Sequence, residues 1–459
     1  MNYALLGHDR DNAVQEMLIS LLPDEPHDRQ ETLTGDGCLS RAWEEGGQIC
    51  AECTVTLCAQ RETARVSAPI PGGGDGEEHK RVLTYCVKSA VYRALLPLLD
   101  HKPAWGSLTG VKPAKPVRLA IREGMDRQAL DRWLDEHYDV TPRRRGLCIR
   151  AAEYALRAED SLLPGEVQLY IGIPFCPAKC SYCSFVSNDT ARWGHMIEPY
   201  VQALLQEVEA AGTMLRRGGI PLGSIYIGGG TPTTLNEDQL ERLLTAVDAH
   251  FDRSACREYT VEAGRPDTIT PEKLRVLTRH GIGRISINPQ TLEDDVLAAI
   301  GRRHDAKAIF DAFAMARAEG FDCINADLIA GLPRDSEEGF RRSLDGVLAL
   351  GAENITVHTL ALKKGSALMT RDQGGTLPPG DEVARMLDYS LDTLRGAGYA
   401  PYYLYRQKYM SGALENVGWA LPGKESIYNI IMMEELQSVV SAGGGGVTKL
   451  VGRDGSILR

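Results

Sequence analysis

A chain of 459 residues is long enough for about three domains, or for one barrel of about 200–250 residues with additions at either end. Its hydrophobic content of 43% and charged content of 25% are those of a globular protein with room for a large core. The 62 Asp and Glu outnumber the 51 Lys and Arg, and the net charge of −11 argues against non-specific nucleic-acid binding.

The first residues, MNYALLGHDRDNAV, have neither the basic nor the apolar region of a secretory signal. No run of 18 apolar residues is long enough to span a membrane. Eleven cysteines in such a chain indicate a reducing compartment, in which thiols stay free or bind metals. We therefore expect a cytoplasmic protein without a membrane span, and we expect it to be a monomer.

Residues 1–102 predict an α+β accessory domain. A helical start is followed by a strand candidate, ECTVTLCA at 52–59, then by the loop PGGGDGEEH and the amphipathic helix HKRVLTYCVKSAVYRALLPLL. Three cysteines lie close together here, at Cys50, Cys53 and Cys58. Because alternation makes them strand side chains, buried structural thiols are favoured over a metal or redox site.

Residues 103–164 predict a helical connector, interrupted by the loop WGSLTGVKPAKPV. Two basic stretches lie in it, KPAKPVR at 112–118 and the arginines at 143–145. Recognition of porphyrin propionates or of RNA is one interpretation of these stretches, but a solvated face is favoured.

From Val167 onward, short apolar runs alternate with helical patterns. The runs are VQLYIGI, SIYIGGG, YTVEAG, RISINPQ, CINADLIAG and NITVHTLAL. This alternation predicts βαβ units and a parallel sheet. Six strands suit a partial (β/α)6 barrel over residues 165–376, in which the chemistry gathers at the carboxyl ends of the strands.

Residues 377–459 predict a C-terminal α+β cap domain. They contain the helix EVARMLDYSLDTLRGAG, the tyrosine-rich PYYLYRQKYM and the glycine-rich SAGGGGVTKLVG. The tyrosines could stack on a tetrapyrrole, or they could belong to a packed strand that bridges barrel and cap.

Three cysteines with the spacing x3 and x2, Cys176, Cys180 and Cys183, directly follow the first barrel strand. A zinc site usually needs a second close pair of ligands, and a disulfide would leave one thiol over. Three thiolates can instead hold three irons of a [4Fe–4S] cluster and leave the fourth iron open to another ligand. Zinc and three incidental buried thiols stay open as less favoured alternatives.

The CxxxCxxC motif resembles that of the radical S-adenosylmethionine (SAM) superfamily. The longer string YIGIPFCPAKCSYCSF is similar to the oxygen-independent coproporphyrinogen III dehydrogenase (HemN/HemZ-like) family. The similarity extends over about residues 165–455 and is greatest to the HemZ-like branch, whose members carry a similar N-terminal extension. It implies a TIM-like radical SAM barrel with a [4Fe–4S] cluster held by the three cysteines. In that family the open iron binds SAM, whose reductive cleavage yields a 5′-deoxyadenosyl radical.

The same resemblance implies further cofactor-binding residues. For the first SAM they are Tyr170, Gly229, Gly230 and Thr231 in GGGTPT, Glu262 at the ribose, and Val447. For a second SAM, which some members hold, they are Tyr182, Gln290, Arg302, Asp327 and Ala361. Without the resemblance, the glycines could form an ordinary turn, Glu262 could cap a helix, and Asp327 could pair with Arg302.

Other residues have two interpretations. Phe175 and Phe185 are expected to form a hydrophobic collar for the cluster. His358 on the sixth strand points either into the barrel, toward substrate or cofactor, or into its wall.

The implied reaction is the oxidative decarboxylation of coproporphyrinogen III propionates to vinyl groups, giving protoporphyrinogen IX. A tetrapyrrole substrate and an electron donor such as flavodoxin or ferredoxin are the implied partners. Two residues depart from the family pattern: Gly172 replaces the His of HIPFC, and Phe185 replaces a further Cys of well-characterised decarboxylases. A haem-binding chaperone of the same family, or a different radical SAM reaction such as methyl transfer, are therefore the alternatives. Relatives usually continue with another helix, so we expect a truncated C-terminal domain.

Overall fold

The computed structural model describes eight stretches of the chain: residues 1–23, 25–33, 35–72, 76–363, 365–370, 377–407, 410–452 and 455–459. They form two compact units, Met1–Ile149 with Arg406–Glu415, and Arg150–Tyr405 with Asn416–Arg459. The division into parts at 102, 164 and 376 stays a prediction. Part of the predicted loop PGGGDGEEH and part of PYYLYRQKYM lie outside the described residues.

The first unit is an α+β fold built on a four-stranded sheet with the order β1-β2-β3-β4. Its strands are β1 Tyr3–Leu6, β2 Gly37–Glu45, β3 Gln48–Leu57 and β4 Gln60–Pro69. Its helices are α1 Asp11–Leu21, α2 Gly76–Leu95, α3 Ala114–Arg122 and α4 Arg127–Tyr138, and α5 Pro142–Asp160 runs from this unit into the second. Strand β1 pairs parallel to β2, and the other pairs are antiparallel. The apolar faces of α1 and α2 pack on the sheet and form the core of this unit.

The three clustered cysteines of this unit differ in environment. Cys50 and Cys53 lie on β3 and are buried, as expected. Cys53 Sγ is 3.3 Å from the sulfur of buried Cys38. Strand β3 ends at Leu57, so Cys58 lies in the following turn, exposed and with a φ of 49°. The expectation of a buried strand thiol is therefore wrong for Cys58.

The two basic stretches contain buried arginines, which a solvated face would not have. Helix α3 begins at Ala114, inside the predicted loop, since a proline in the first turn needs no N–H. Arg118 and Arg144 are buried. The Arg144 Nε donates to Glu415 Oε1 at 2.9 Å, and the Trp105 Nε1 donates to the other oxygen at 2.6 Å. A solvated face is therefore the wrong interpretation for these two arginines.

The second unit is built on a nine-stranded sheet with the order β13-β14-β12-β11-β10-β9-β8-β5-β15. Its strands are β5 Val167–Ile173, β8 Leu222–Gly229, β9 Glu258–Glu262, β10 Arg284–Ser286, β11 Ile324–Ala330, β12 Asn354–Thr359, β13 Ala400–Tyr405, β14 Asn416–Ala420 and β15 Val439–Gly443. Short pairs lie beside it: β6 Phe175–Cys176 with β7 Asn188–Asp189, and β16 Leu450–Val451 with β17 Ile457–Leu458. All six predicted barrel strands are present and pair parallel to one another, which confirms the α/β fold.

Three strands that follow the predicted barrel extend the same sheet. Strand β15 pairs parallel to β5 at one edge, and β14 pairs antiparallel to β12 toward the other. Strand β13 contains all of PYYLY, and its Tyr402 and Tyr403 are buried. These tyrosines thus form a packed strand.

Helices cover the sheet between successive strands. They are α6 Thr190–Trp193, α7 Ile197–Gly218, α8 Glu237–His250, α9 Pro271–Arg279, α10 Asp294–Ala299, α11 Ala306–Ala318, α12 Glu337–Ala349, α13 Ala367–Thr370, α14 Gly380–Gly396 and α15 Ile427–Glu434. Asn236 and Gln239 form a capping box at the start of α8, which satisfies the first free N–H groups of that helix. Within the described ranges, no helix combines the length and apolarity needed to cross a membrane.

Candidate functional site

The three cysteines of CPAKCSYC lie on the segment that leaves the carboxyl end of β5, here called the cysteine loop, whose first cysteine, Cys176, ends the short strand β6. Cys180 is buried, whereas Cys176 and Cys183 are half-buried, and all three are free thiols. The loop folds back on itself, with the Cys183 N–H donating to the Cys180 carbonyl at 3.1 Å. Its centre is fixed by Ser181, whose N–H donates to the Ile300 carbonyl at 3.0 Å.

The donor chemistry of this loop fits a cluster with three protein ligands. Burial raises the pKa of the Cys176 and Cys183 thiols, so iron would have to displace their protons on binding. Polar groups lie at two of the sulfurs: Thr231 Oγ1 is 3.4 Å from Cys176 Sγ, and an arginine donates to Cys180 Sγ. In the described part of the chain, no three His, Cys, Asp or Glu side chains converge as they would on a single metal ion.

The glycine turn after β8 packs directly against the cysteine loop. The Gly230 and Thr231 N–H groups donate to the Ile173 and Phe175 carbonyls, both at 2.8 Å. A Cβ at Gly230 would lie 2.6 Å from the Phe175 oxygen, so the close approach requires glycine. Since these N–H groups donate within the protein, they fix the turn to the loop. Their contact with methionine-like groups stays a prediction.

Glu262 lies at the carboxyl end of β9 beside the glycine turn. It accepts hydrogen bonds from the Tyr226 hydroxyl at 2.6 Å and from the Gly229 N–H at 3.2 Å. The Tyr226 ring stacks between Tyr170 and Tyr428, with ring centres 6.3 Å and 4.4 Å away. Burial raises the pKa of Glu262 to about 7, although its hydrogen bonds oppose this. Tyr170, Gly229 and Glu262 thus lie within one hydrogen-bonded and stacked group.

The residues expected at a second SAM form two groups. The Arg302 guanidinium is buried and donates to the Tyr182 hydroxyl at 3.2 Å and to the Asn288 carbonyl at 2.8 Å. Asp327 accepts from Asn325 Nδ2 at 2.8 Å, and its other oxygen lies 3.7 Å from His358 Nε2. Arg302 and Asp327 thus have different partners. The ion pair between them, which was the alternative to cofactor binding, is not among these contacts.

Gln290, His358 and Tyr405 extend the contacts of Asp327. Gln290 has a φ of 71° and its N–H donates to the Asp327 carbonyl at 2.8 Å. Burial raises the pKa of Asp327, but the hydrogen bond and charge of His358 outweigh it and lower the pKa below its usual value. The Tyr405 hydroxyl is 3.4 Å from His358 Nδ1, so His358 faces polar groups. Ala361 lies just past β12 and is half-buried.

Val447 and Phe185 are the most exposed of the expected site residues. Val447 is 60% exposed on the segment after β15, although its neighbour Gly446 approaches the Tyr170 ring. Phe185 is 66% exposed, with the Lys363 ammonium 5.9 Å from its ring centre. Phe175 is buried and packs edge-on against Tyr200. The burial of Phe175 is consistent with the expected hydrophobic collar around the cluster, whereas the exposure of Phe185 is not.

Several known proteins resemble this chain in sequence or in fold. The family model of the radical SAM superfamily matches residues 170–346. HemZ of Bacillus subtilis, named an oxygen-independent coproporphyrinogen-III oxidase-like protein, is 36% identical over 427 residues, covering 89% of this chain and 85% of HemZ. The chain belongs to the HemN/HemZ-like family of radical SAM proteins.

Other relatives of this radical SAM protein have different names. The heme chaperone HemW of Bacillus subtilis is 36% identical over 236 residues, covering 51% of this chain and 61% of HemW. The solved structure of coproporphyrinogen III oxidase (HemN) from Escherichia coli, described as a radical SAM enzyme, has a TM-score of 0.52 and 25% identity, covering 64% of this chain and 67% of that one. The cofactors of this superfamily are a [4Fe–4S] cluster and SAM.

The structure explains one departure from the family pattern. A Cβ at Gly172 would lie 2.2 Å from the carbonyl oxygen of Gly444, which follows β15. The Tyr200 hydroxyl donates to the Gly172 carbonyl at 2.5 Å and accepts from the Gly444 N–H at 2.7 Å. The space that a histidine would need is therefore taken by the segment after β15.

The sequence did not predict a group of polar side chains on the other side of the cysteine loop. Arg265, which follows β9, donates to Cys180 Sγ and is held by Asp267. His304 is buried, and burial, together with the charge of Arg302, lowers its pKa to about 4. Arg265 lies in GRPD and His304 in RRH, and neither segment has the hydrophobic periodicity of a helix or strand. Their positions in the fold depend on tertiary contacts, which the sequence alone does not show.

The raised pKa of Glu262 predicts a pH-dependent stability. A carboxyl with a pKa of about 7 in the folded state and 4.5 as a free group stabilises the fold fully below about pH 4.5. This contribution is lost as the pH rises through about 7. We therefore expect urea unfolding at pH 5, 6, 7 and 8 to show the wild type losing stability relative to Glu262→Gln, by at most about 1.4 kcal/mol per pH unit.

The exposed Glu198 offers a matched control. Hydrogen bonds from Arg242 lower the pKa of Glu198 to about 2, so Glu198→Gln should give a constant difference from wild type over this pH range. A constant difference for Glu262→Gln as well would contradict the account of its buried carboxyl.

Proposed function

We propose that this radical SAM protein catalyses the oxygen-independent oxidative decarboxylation of coproporphyrinogen III propionates to vinyl groups in haem biosynthesis. The observation that carries the proposal is the convergence at the carboxyl ends of β5, β8 and β9. There hydrogen bonds join the cysteine loop, through its backbone and the Cys176 thiol, to the GGGTPT turn, and join the turn to Glu262. The similarity to HemZ along most of the chain supports the choice of substrate.

The proposed ligands of the cluster are Cys176, Cys180 and Cys183, with the fourth iron left to the amino and carboxylate groups of SAM. When bound, the cluster and SAM supply a 5′-deoxyadenosyl radical that can take a hydrogen atom from carbon. Three thiolates from one loop leave one coordination site open, which a complete set of four would close.

Residues around the cluster would orient SAM and exclude water. Glu262 is positioned to accept hydrogen bonds from ribose hydroxyls, and the stacked Tyr170 and Tyr226 bring apolar surface beside it. Val447 and the turn residues Gly229, Gly230 and Thr231 complete the proposed first site. Exclusion of water matters because it strengthens the hydrogen bonds within the site and protects a reactive radical.

A second SAM, or the substrate itself, would occupy the region farther along the sheet. Its proposed contacts are Tyr182, Gln290, Arg302, Asp327 and Ala361. The chain of contacts from Asp327 through His358 to Tyr405 offers donors and acceptors suited to pyrrole N–H and carboxylate groups. The protein's main task is then to hold the β-carbon of a propionate next to the radical.

The chemistry balances for each propionate. One hydrogen atom leaves the β-carbon, carbon dioxide leaves from the carboxylate, and one electron passes to an acceptor as the vinyl double bond forms. Two such turnovers give protoporphyrinogen IX. We further propose a flavodoxin- or ferredoxin-like electron donor, a cytoplasmic location and a monomeric state.

Anaerobic incubation with SAM, a reductant and coproporphyrinogen III, followed by mass spectrometry, tests the reaction. We expect a product that has lost two carbon dioxide molecules and four hydrogen atoms, together with 5′-deoxyadenosine. The matched control is Cys256→Ala, which removes a free thiol that precedes β9 and should leave the activity unchanged. Deoxyadenosine without loss of carbon dioxide from the tetrapyrrole would contradict the proposed substrate.

A haem chaperone is the second candidate, and two observations favour it. Phe185 occupies the position of the further cysteine of known decarboxylases and is 66% exposed. The HemW of Bacillus subtilis is 36% identical to this chain over 236 residues, which are 51% of the chain. Stoichiometric haem binding without a vinyl product would support this function, and a methylated product would support methyl transfer instead.

A further inference from the structure

Arg265 has no role in the proposed function, although it contacts the cysteine loop. It follows β9 and its side chain is buried. Its Nη1 donates to the Ala178 carbonyl at 3.3 Å and to Cys180 Sγ at 3.7 Å. One guanidinium nitrogen thus binds both the backbone of the loop and the sulfur of one expected cluster ligand.

Asp267 fixes the orientation of this guanidinium. Arg265 Nε and Nη2 donate to the two oxygens of Asp267 at 3.1 Å and 3.2 Å. Two parallel hydrogen bonds of this kind define the plane of the guanidinium as well as its position. The remaining nitrogen, Nη1, is therefore directed at Cys180.

Other charged groups lie close to Arg265 and Cys180. Arg302 is a second buried cation that interacts with Cys180, and it also donates to the Tyr182 hydroxyl and to the Gly264 and Asn288 carbonyls. The His304 Nδ1 lies 3.8 Å from an Asp267 oxygen, and with a pKa of about 4 the ring is neutral near pH 7. The charged groups near Cys180 thus include Arg265, Arg302, the adjacent Lys179 and the carboxylate of Asp267.

We propose that Arg265 is a positioning residue that holds the Cys180 sulfur and raises the reduction potential of the cluster, while Asp267 orients it and partly offsets its charge. This inference rests on the ligand set of the proposed function. Reduction adds negative charge to a cluster already held by thiolates. A buried guanidinium that donates to one of the sulfurs stabilises the reduced form more than the oxidised form. The low dielectric of a buried site strengthens the effect.

The test is a redox titration monitored by EPR spectroscopy on the anaerobically reconstituted full chain, without SAM or substrate. We expect Arg265→Met to move the midpoint potential to more negative values, and Asp267→Asn to move it to more positive values. Arg265→Lys, which keeps the charge but loses the fork, should fall between Arg265→Met and wild type. Arg279→Met, which replaces an exposed side chain of α9, is the control and should match wild type.

Opposite shifts of the midpoint potential in Arg265→Met and Asp267→Asn would show an effect of charge. Simple loosening of the loop would instead shift the potentials of both variants in the same direction, or release iron from both. If Arg265→Met retains no cluster, Asp267→Asn decides: a more positive potential supports the inference, and an unchanged or more negative one overturns it. A wild-type chain that assembles no cluster contradicts the ligand set and this inference together. An assembled cluster with unmoved potentials contradicts this inference alone.

Discussion

Replacement of Cys183 by alanine is expected to abolish the cluster and all SAM cleavage. The two thiolates that remain in the motif, Cys176 and Cys180, can bind only two of the irons. The motif contains no further thiol that could take the place of Cys183. We expect the reconstituted variant to bind less than one tenth of the wild-type iron and to release no detectable 5′-deoxyadenosine. Iron and sulfide analysis with visible absorption spectroscopy measures the first effect, and chromatography measures the second.

The control for Cys183→Ala is again Cys256→Ala, which removes a half-buried thiol outside the motif. It should keep the full iron content and the full rate of SAM cleavage. Wild-type iron content in Cys183→Ala would contradict the ligand set.

The largest expected effect on stability comes from Glu415→Ala in the first unit. The Glu415 carboxylate accepts from Arg144 Nε and from Trp105 Nε1, and both charged side chains are almost wholly buried, at 4% and 2% exposure. Removing one member of a buried ion pair leaves the other charge in a medium of low dielectric, which costs about 3–5 kcal/mol. Urea unfolding followed by tryptophan fluorescence measures the loss.

The exposed ion pair of Lys80 and Glu77 gives the comparison. Its side chains are 54% and 75% exposed, so Lys80→Ala should change the free energy of unfolding by less than about 1 kcal/mol. Equal losses for Glu415→Ala and Lys80→Ala would contradict the account of the buried pair.

The sequence was sufficient to predict the six parallel strands, because strands buried on both faces are near-continuous apolar runs. The cysteine spacing and the family resemblance also led to the loop, the glycine turn and Glu262, which the structure brings into hydrogen-bonded contact. These features are local in sequence, or follow from the rule that chemistry gathers at the carboxyl ends of parallel strands.

Features that depend on long-range contacts were not predictable. Strand β15 pairs with β5, and nothing in SAGGGG identifies its partner. Arg144 resembled a solvated residue because its buried partner, Glu415, lies far along the chain. Arg265 was missed for the same reason, since only the folded turn after β9 brings it to Cys180.

We propose above that three cysteines hold a cluster whose fourth iron is open to SAM. Mössbauer spectroscopy of the chain reconstituted with 57Fe tests it most directly, by comparing spectra before and after SAM is added. We expect one iron in four to change its isomer shift when SAM binds, while the other three remain as they were. A spectrum that SAM leaves unchanged, or one without a four-iron cluster, would contradict the account.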